Sequence, residues 1–243
     1  MLSLLAQVGK SLADLIWPPL CLHCKDPLEQ GHPILCQTCL SLLTIIEAQE
    51  RCPTCFTADF NPKEQSCCHR CREKPPVTDR VAAAFDYEGP AVTLVTQLKY
   101  GGHQHLAKGM GAYMAAQFVR LDWPMPDCII PMPISRLRRM ERGFNQSYLI
   151  AEALSLILQV PVRDVLKRRS GDYSQAGLNH HQRLQLMQDE AIYVKEGTKL
   201  HDQNVLLIDD VMTTGRSLQC SAKALFEAYP KEIYALTFCR AVD

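Results

Sequence analysis

Hydrophobic and polar positions along this chain follow two periods in turn. Continuous apolar runs of strand length occur at Val81–Tyr87, Cys128–Met132, Val162–Leu166, Ala191–Val194, Val205–Ile208 and Ile233–Cys239. Between them, apolar residues recur three and four apart, the spacing of one helix face, over Ala91–Leu98, Leu106–Val119, Phe144–Leu158 and Ser217–Ala228. In the third of these the face is Leu149, Ile150, Ala153, Leu154, Ile157 and Leu158. The first stops at Gly101-Gly102, as helices often do at glycine. Strands that are apolar throughout and alternate with helices predict an α/β fold, its sheet mainly parallel and covered on both faces. Residues 170–182 have no clean period and many polar groups, so a loop is expected there.

The first 76 residues depart from this alternation. Met1–Trp17 carries Leu5, Val8, Leu12 and Leu15/Ile16 at helical spacing and stops at Pro18-Pro19. It has no basic leading region and no small-residue cleavage site, so it predicts a short amphipathic helix packed on the fold and not a signal peptide. Lys74-Pro75-Pro76 reads as a boundary. The expected division is an amphipathic helix over 1–18, a cysteine-rich region over 19–76 and an α/β domain over 77–243.

Nine of the 12 cysteines lie between Cys21 and Cys71. Eight of them form four C-x-x-C pairs, Cys21/Cys24, Cys36/Cys39, Cys52/Cys55 and Cys68/Cys71, separated by 11 or 12 residues. Two cysteines three apart on a tight knuckle put both sulfurs on one side of a turn, and two knuckles complete a tetrahedral zinc site. Two structural zinc ions are therefore expected. Sequential pairing of the knuckles is the simpler arrangement, and interleaved pairing stays open. A segment this small cannot bury a sufficient core, so metal would supply much of its folding energy. Disulfides need an oxidising compartment, and a cytoplasmic protein keeps its thiols reduced. Cys67 is a spare thiol or a substitute for Cys68. His23, His32 and His69 fall inside the array but outside the expected ligand sets. Cys128, Cys220 and Cys239 lie in apolar or helical settings and are expected to be small buried hydrophobes.

Charge adds one refinement. The chain is formally neutral, but residues 127–170 carry eight basic and four acidic side chains, against eight and nine in residues 1–80. The positive field therefore lies in the α/β part, which suits a polyanionic small ligand. The cysteine region, with a net charge of −1 over residues 1–80 and scattered aromatics (Trp17, Phe56, Phe60), has a weak footprint for nucleic acid. No stretch approaches the ~20 apolar residues of a membrane span.

The most informative run is Val205-Leu206-Leu207-Ile208-Asp209-Asp210-Val211-Met212-Thr213-Thr214-Gly215-Arg216-Ser217. It reads as a buried strand, two carboxylates at its carboxyl end, then a turn into a helix. Ligands of open α/β sheets bind beyond the carboxyl ends of the strands. N–H groups at the helix start and the Thr and Ser hydroxyls suit a phosphate, and adjacent carboxylates suit a sugar diol. Together they predict a ribose 5-phosphate ligand. Arg136, Arg138, Arg139 and Arg142, opposed only by Glu141, read as a basic loop after the Cys128–Met132 strand and form a second anion site.

The run resembles the phosphoribosyl pyrophosphate (PRPP) signature of type I phosphoribosyltransferases. With the C-x-x-C knuckles, Leu98-Lys99-Tyr100, Pro131-Met132-Pro133 and Arg142-Gly143-Phe144-Asn145-Gln146, in that order, nearly the whole chain resembles the ComF/GntX family. The resemblance implies a type I phosphoribosyltransferase-like domain, a double zinc-ribbon-like region and, in some members, a link to DNA uptake. It implies that Asp209 and Asp210 hold the ribose hydroxyls and act in catalysis, with magnesium accompanying PRPP. It gives Val211, Met212, Thr213, Thr214, Gly215, Arg216 and Ser217 to the 5′-phosphate loop and Arg142 to pyrophosphate. Two departures stand out. Gln175 and Arg183 fit the family's pattern before the acidic run, but Leu186 stands where an Asn is expected. Ser217 replaces the more usual Thr and keeps the hydroxyl. The other expected role is that of a DNA-uptake accessory factor that binds single-stranded DNA or competence-machinery proteins.

Overall fold

A computed structural model describes residues 19–28, 34–63, 65–169 and 192–241. The amphipathic helix expected over 1–18 and the loop expected over 170–182, with Gln175, Arg183 and Leu186, lie outside the described residues.

The strands are β1 (Arg80–Asp86), β2 (Cys128–Pro131), β3 (Leu166–Arg168), β4 (Ile192–Val194), β5 (Asn204–Met212) and β6 (Glu232–Arg240). The helices are α1 (Gln37–Ser41), α2 (His69–Glu73), α3 (Gly89–Tyr100), α4 (Leu106–Arg120), α5 (Arg136–Arg142), α6 (Gln146–Leu158) and α7 (Arg216–Leu225). Among the described residues four strands form one sheet in the order β1-β6-β5-β2, and every pair in it is parallel. Val205, Leu206, Leu207 and Ile208 in β5 are fully buried, as a strand covered on both faces requires.

The two faces have different cover. Ile129, Leu206, Ile208, Leu236 and Phe238 face a layer made by α3, α4 and α6. On the other face Cys128, Ile130, Val205, Leu207, Ile233 and Ala235 pack against α7 and the small β3–β4 sheet. That small sheet corrects the expectation for 162–166 and 191–194. Val162 makes only an isolated bridge to Ile129, and the chain then turns through a bond from the Val165 N–H to the Arg163 carbonyl. The strand forms later, at Leu166–Arg168, antiparallel to β4 and outside the main sheet.

Helix ends follow from local chemistry. Pro90 sits in the first turn of α3, where its missing N–H has no intrahelical partner to lose. The basic segment 136–142, expected as a loop, is a helix of 7 residues. Ser135 caps its start by accepting from the Arg138 N–H, and Gly143 ends it in the left-handed conformation at φ 80°. The exposed Leu137 and Met140 give it no buried face, which is why its apolar pattern carried no helix signal.

Where α4 crosses α6, Gly111 is required by space. A methyl group there would lie 2.7 Å from Ala153 Cβ and 3.0 Å from the Leu154 nitrogen, which is backbone and cannot yield cheaply. Gly111→Ala is therefore expected to lower stability by about 1–3 kcal/mol through overpacking, despite the better helix propensity of alanine. Urea unfolding monitored by circular dichroism checks this; an unchanged or raised midpoint would show that the helices separate freely.

The first cysteine segment is built into the main core. Cys21, Leu35, Cys39 and Ile46 are buried in the same cluster as Leu94, Met110 and Phe85. The Ile46 N–H donates to the Ala84 carbonyl at 3.0 Å, covering the free edge of β1. Gln117, fully buried, donates to the carbonyls of Ile46 at 3.1 Å and Ala83 at 2.9 Å. Arg51 bridges to Asp86 at 2.7 Å. The second segment has its own small cluster of Cys52, Cys68 and Cys71 with Phe60. Arg240, at the end of β6, reaches it by donating to the Cys55 carbonyl.

Candidate functional site

Strand β2 ends at Pro131, opposite Ile208, whereas β5 continues to Met212. Asp209 and Asp210 therefore lie inside β5, beyond the end of its neighbour, and not after the last strand residue as expected from the apolar run. The crevice left where β2 stops is bordered by the chain that leads into α5 and α6. Asn145 holds that chain in place. Its Nδ2 donates to the Met132 carbonyl at 3.0 Å and its Oδ1 caps α6 by accepting from the Ser147 N–H at 3.1 Å.

Consecutive strand residues face opposite ways, so the two carboxylates have different surroundings. Asp209 Oδ1 accepts from Ser147 Oγ and from the Asp210 N–H, both at 2.9 Å. Asp210 is 3% exposed, and Lys99 Nζ, at the end of α3, lies 2.7 Å from its Oδ2. Its Oδ1 accepts from the Val211 N–H at 2.9 Å. Burial first, and then the neighbouring Asp210 charge, push the Asp209 carboxyl up to about 7; the Ser147 hydroxyl, the Asp210 N–H and Lys99 act the other way. The half-buried Arg168, in β3, feels the Asp209 charge. Its own acidity is raised chiefly by burial and then by Arg138.

The 213–217 turn, expected to hold phosphate, follows directly. Gly215 takes φ +72°, which an L side chain adopts at a cost, and it forms the N-cap of α7. Thr213, Thr214 and Ser217 are exposed, and the Thr214 hydroxyl accepts from the Arg216 N–H at 3.4 Å. The first turn of α7 offers N–H groups that have no intrahelical acceptor. Val211 and Met212 send their side chains into the apolar layers and present backbone only. Arg142 is held away from the acidic pair. It donates to Gln146 Oε1 and to the Tyr100 hydroxyl, both at 3.0 Å, and its guanidinium lies 4.9 Å from the centre of the Tyr100 ring. Thr214, Gly215 and Arg216 line a cavity together with Lys223 of α7.

The expected residues thus divide. Asp209 and Asp210 lie at the end of β5 with the 213–217 turn directly after them, whereas Arg142 is tied to Tyr100 and Gln146. Ser147 was not singled out by sequence as a partner of the acidic pair, and Lys99, expected from sequence only as a member of the anion site, is the direct partner of Asp210. Ser147 is signalled only as a residue near a helix cap, and Arg168 sits in a short strand whose boundaries the apolar pattern misplaced.

The eight knuckle cysteines form two groups, Cys21/Cys24/Cys36/Cys39 and Cys52/Cys55/Cys68/Cys71. Pairing is sequential, and Cys67 belongs to neither group. Within each group all the sulfurs lie within 4.8 Å of one another, with Cys24–Cys36 and Cys55–Cys68 at 3.6 Å. Four sulfurs at that separation fit the tetrahedron of a zinc ion with bonds of about 2.3 Å. Backbone N–H groups already point at sulfur: Cys36 to Cys21 and Cys68 to Cys52, each at 3.3 Å. Burial opposes ionisation at both, but N–H donors prevail and bring Cys21 down to about 6 and Cys52 to about 7. Burial pushes Cys39, Cys55 and Cys71 the other way, so it is the four-sulfur geometry by which both groups could hold zinc. His23 instead makes a 2.8 Å bond with Thr93 Oγ1. Cys128, Cys220 and Cys239 are buried, as expected. No helix among the described residues is long and apolar enough to cross a membrane.

Residues 145–242 match the model of the phosphoribosyl transferase domain. Competence protein F of Haemophilus influenzae is 26% identical over 226 residues, 91% of this chain and 96% of its own. The DNA utilization protein YhgH of Escherichia coli is 26% identical over 233 residues, 93% of this chain and 98% of its own. Competence protein ComFC of Streptococcus pneumoniae is 27% identical over 213 residues, 88% of this chain and 90% of its own.

Proposed function

Since this chain is a phosphoribosyltransferase-domain protein of the ComF/YhgH family, we propose that its crevice binds PRPP and transfers the phosphoribosyl group to an acceptor. The observation that carries this reading is the continuity of Asp209-Asp210 with the loop 213–217, which sets a diol acceptor and a phosphate cradle a few residues apart on one strand end. Asp209 and Asp210 orient the ribose hydroxyls. When the bond from C1 to pyrophosphate breaks, its electron pair leaves with pyrophosphate and positive charge develops on the ribose, which the two carboxylates favour. The acceptor then bonds to C1 and gives up a proton. Thr213, Thr214, Ser217 and the first N–H groups of α7 hold the 5′-phosphate. Magnesium, bound with the ligand, would neutralise pyrophosphate oxygens, and Arg142 would take up part of the leaving charge after swinging from Tyr100. Titration of PRPP with and without magnesium, then pyrophosphate release with a panel of bases and ammonia, tests the proposal. Absence of PRPP binding under both conditions would refute it.

The raised pKa of Asp209 sets a sign. Its carboxyl must be ionised to accept both ribose hydroxyls, so PRPP affinity is expected to rise from pH 6 to pH 8 as Asp209 loses its proton near 7. The phosphates of PRPP titrate in the same range, so the control is Asp209→Asn, in which the protein's share of that slope should vanish. Before ligand binds, the same shift works against the fold. The native carboxyl holds its proton more tightly than the unfolded one, so this group's contribution to stability is lost as pH rises from about 4 to 7.

A second reading rests on α5. Arg136, Arg138 and Arg139 are exposed beside Leu137 and Met140, a surface suited to the backbone of single-stranded DNA. Affinity for a thymidine oligonucleotide would then fall steeply between two salt concentrations and drop in Arg138→Gln/Arg139→Gln, because each neutralised phosphate releases counterions. Salt-insensitive binding would place DNA elsewhere.

A further inference from the structure

We propose that Ser147 is a positioning residue for the ribose: its hydroxyl fixes Asp209 Oδ1 and leaves Oδ2 to meet the sugar. The proposal rests on the reading of the crevice as a PRPP site. Asp209 Oδ1 accepts from Ser147 Oγ and from the Asp210 N–H, both at 2.9 Å, and these two donors fill that oxygen. No bond from a described residue reaches Oδ2. The terminal torsion of an aspartate is soft, so the carboxylate keeps one orientation only where donors hold it. Without Ser147 the N–H of the next residue would be left to do this alone.

Ser147 is held in place by its own neighbours. Asn145 ties the start of α6 to the end of β2 through the Met132 carbonyl and accepts from the Ser147 N–H. Gln146, between them, accepts from Arg142. The serine hydroxyl has no role within α6 itself. Ser147 is fully buried at the head of the stripe Ile150, Ala151 and Leu154, where alanine would continue the apolar face and suit the helix better. The carbonyl to which a buried helical serine usually returns, four residues back, belongs here to Gly143, outside α6. The hydroxyl is spent on Asp209 instead. It also bears on charge. Burial first and then the Asp210 charge disfavour the ionised form of Asp209, while the Ser147 hydroxyl, the Asp210 N–H and Lys99 favour it. Arg168 feels the same charge, and β6 sets the neutral Thr237 beside Asp209 in register. Removing the serine should therefore raise the pH at which Asp209 ionises, which loss of a packing contact would not do.

The test uses the full zinc-loaded chain and Ser147→Ala. Carbon-13 NMR of the aspartate carboxyl carbons, with Asp209 identified by the signal missing in Asp209→Asn, reads the ionisation midpoint without ligand. That midpoint should rise by about one pH unit in Ser147→Ala, since a bond to a charged group shifts an equilibrium by about tenfold or more. Calorimetry with PRPP and magnesium should show affinity falling about fivefold or more at pH 7. The loss should shrink to about two- to threefold at pH 9, where Asp209 is ionised in both proteins and only its orientation differs. The titration of the ligand is common to both proteins and cancels. Ser147→Thr, which keeps the hydroxyl, should keep the wild-type midpoint. The proposal is overturned if Ser147→Ala leaves the midpoint unchanged, if Ser147→Thr raises it as much as alanine does, or if the affinity loss is no larger at pH 7 than at pH 9. Full recovery of affinity at pH 9 would also overturn it, because the serine would then not orient the carboxylate. Absence of PRPP binding by wild type would instead refute the reading of the crevice, and the midpoint measured without ligand would still decide whether Ser147 acts on Asp209.

Discussion

Replacing Asp209 and Asp210 together by asparagine is expected to reduce PRPP affinity by a factor of roughly 10²–10⁴. Each carboxylate can accept a ribose hydroxyl, and a hydrogen bond to a charged group is worth about 1.5–3 kcal/mol. The two positions will not contribute alike. Asp209 meets neutral donors, Ser147 Oγ and a backbone N–H, so its amide variant keeps a reasonable set of partners. Asp210 is the counter-ion of Lys99, and Asp210→Asn leaves that ammonium 19% exposed without its partner. The single Asp210 variant should therefore lose thermal stability as well as affinity, and Asp209→Asn mainly affinity. Isothermal titration with PRPP, run beside thermal melts of each variant, separates the two effects. Wild-type affinity in the double variant would show that the acidic pair is not the ribose site.

Zinc removal should have the largest structural effect, and the two metal groups should answer differently. Purified from reducing buffer, the protein is expected to hold two zinc ions per chain; less than one equivalent by metal analysis would contradict the sites. Structural zinc supplies about 10–16 kcal/mol of apparent binding free energy in small modules, which is folding energy. Around Cys52, Cys55, Cys68 and Cys71 the packed residues are few, so chelation should unfold that segment and leave the sheet intact. Around Cys21, Cys24, Cys36 and Cys39 the outcome reaches further. Leu35 and Ile46 are part of the main core and Ile46 covers the edge of β1, so losing that metal uncovers Leu94 and Met110. Hydrogen exchange during stepwise chelation should therefore reveal β1, α3 and α4 opening with the first group and not with the second.

Most of the architecture could be read from periodicity because it rests on burial. The apolar runs of β1, β5 and β6 call for strands covered on both faces, and the 3.6-residue stripes of α4 and α6 can only face them. Cysteine spacing was equally informative, since tetrahedral geometry tolerates few arrangements, although only the fold decides between sequential and interleaved knuckles. What escaped lies where structure is set by single contacts. α5 depends on one serine cap and one left-handed glycine, with no apolar face to announce it. β3 depends on where a turn at Val165 releases the chain from β2. In the crevice, the Asp pair and the Thr-Thr-Gly turn are contiguous and carry their own chemistry. Ser147 reaches Asp209 from another element, and no pattern in a linear chain reports a side chain delivered from about 60 positions away.

The strand order has a consequence for how the molecule is made. β6, the last of the described sheet strands to leave the ribosome, sits between β1 and β5 and joins them. Until residues 232–240 emerge, the first strand has no sheet neighbour and β2–β5 stands as a separate pair, with Phe238 and Leu236 missing from the layer beneath α4. The cysteine knuckles close over short loops and can take up metal long before that, since local contacts form without waiting for distant chain. Synthesis thus lets the cysteine modules close first and completes the sheet end that carries Asp209 and Asp210 last. A nascent chain stalled before β6 should resist proteolysis only around its knuckles.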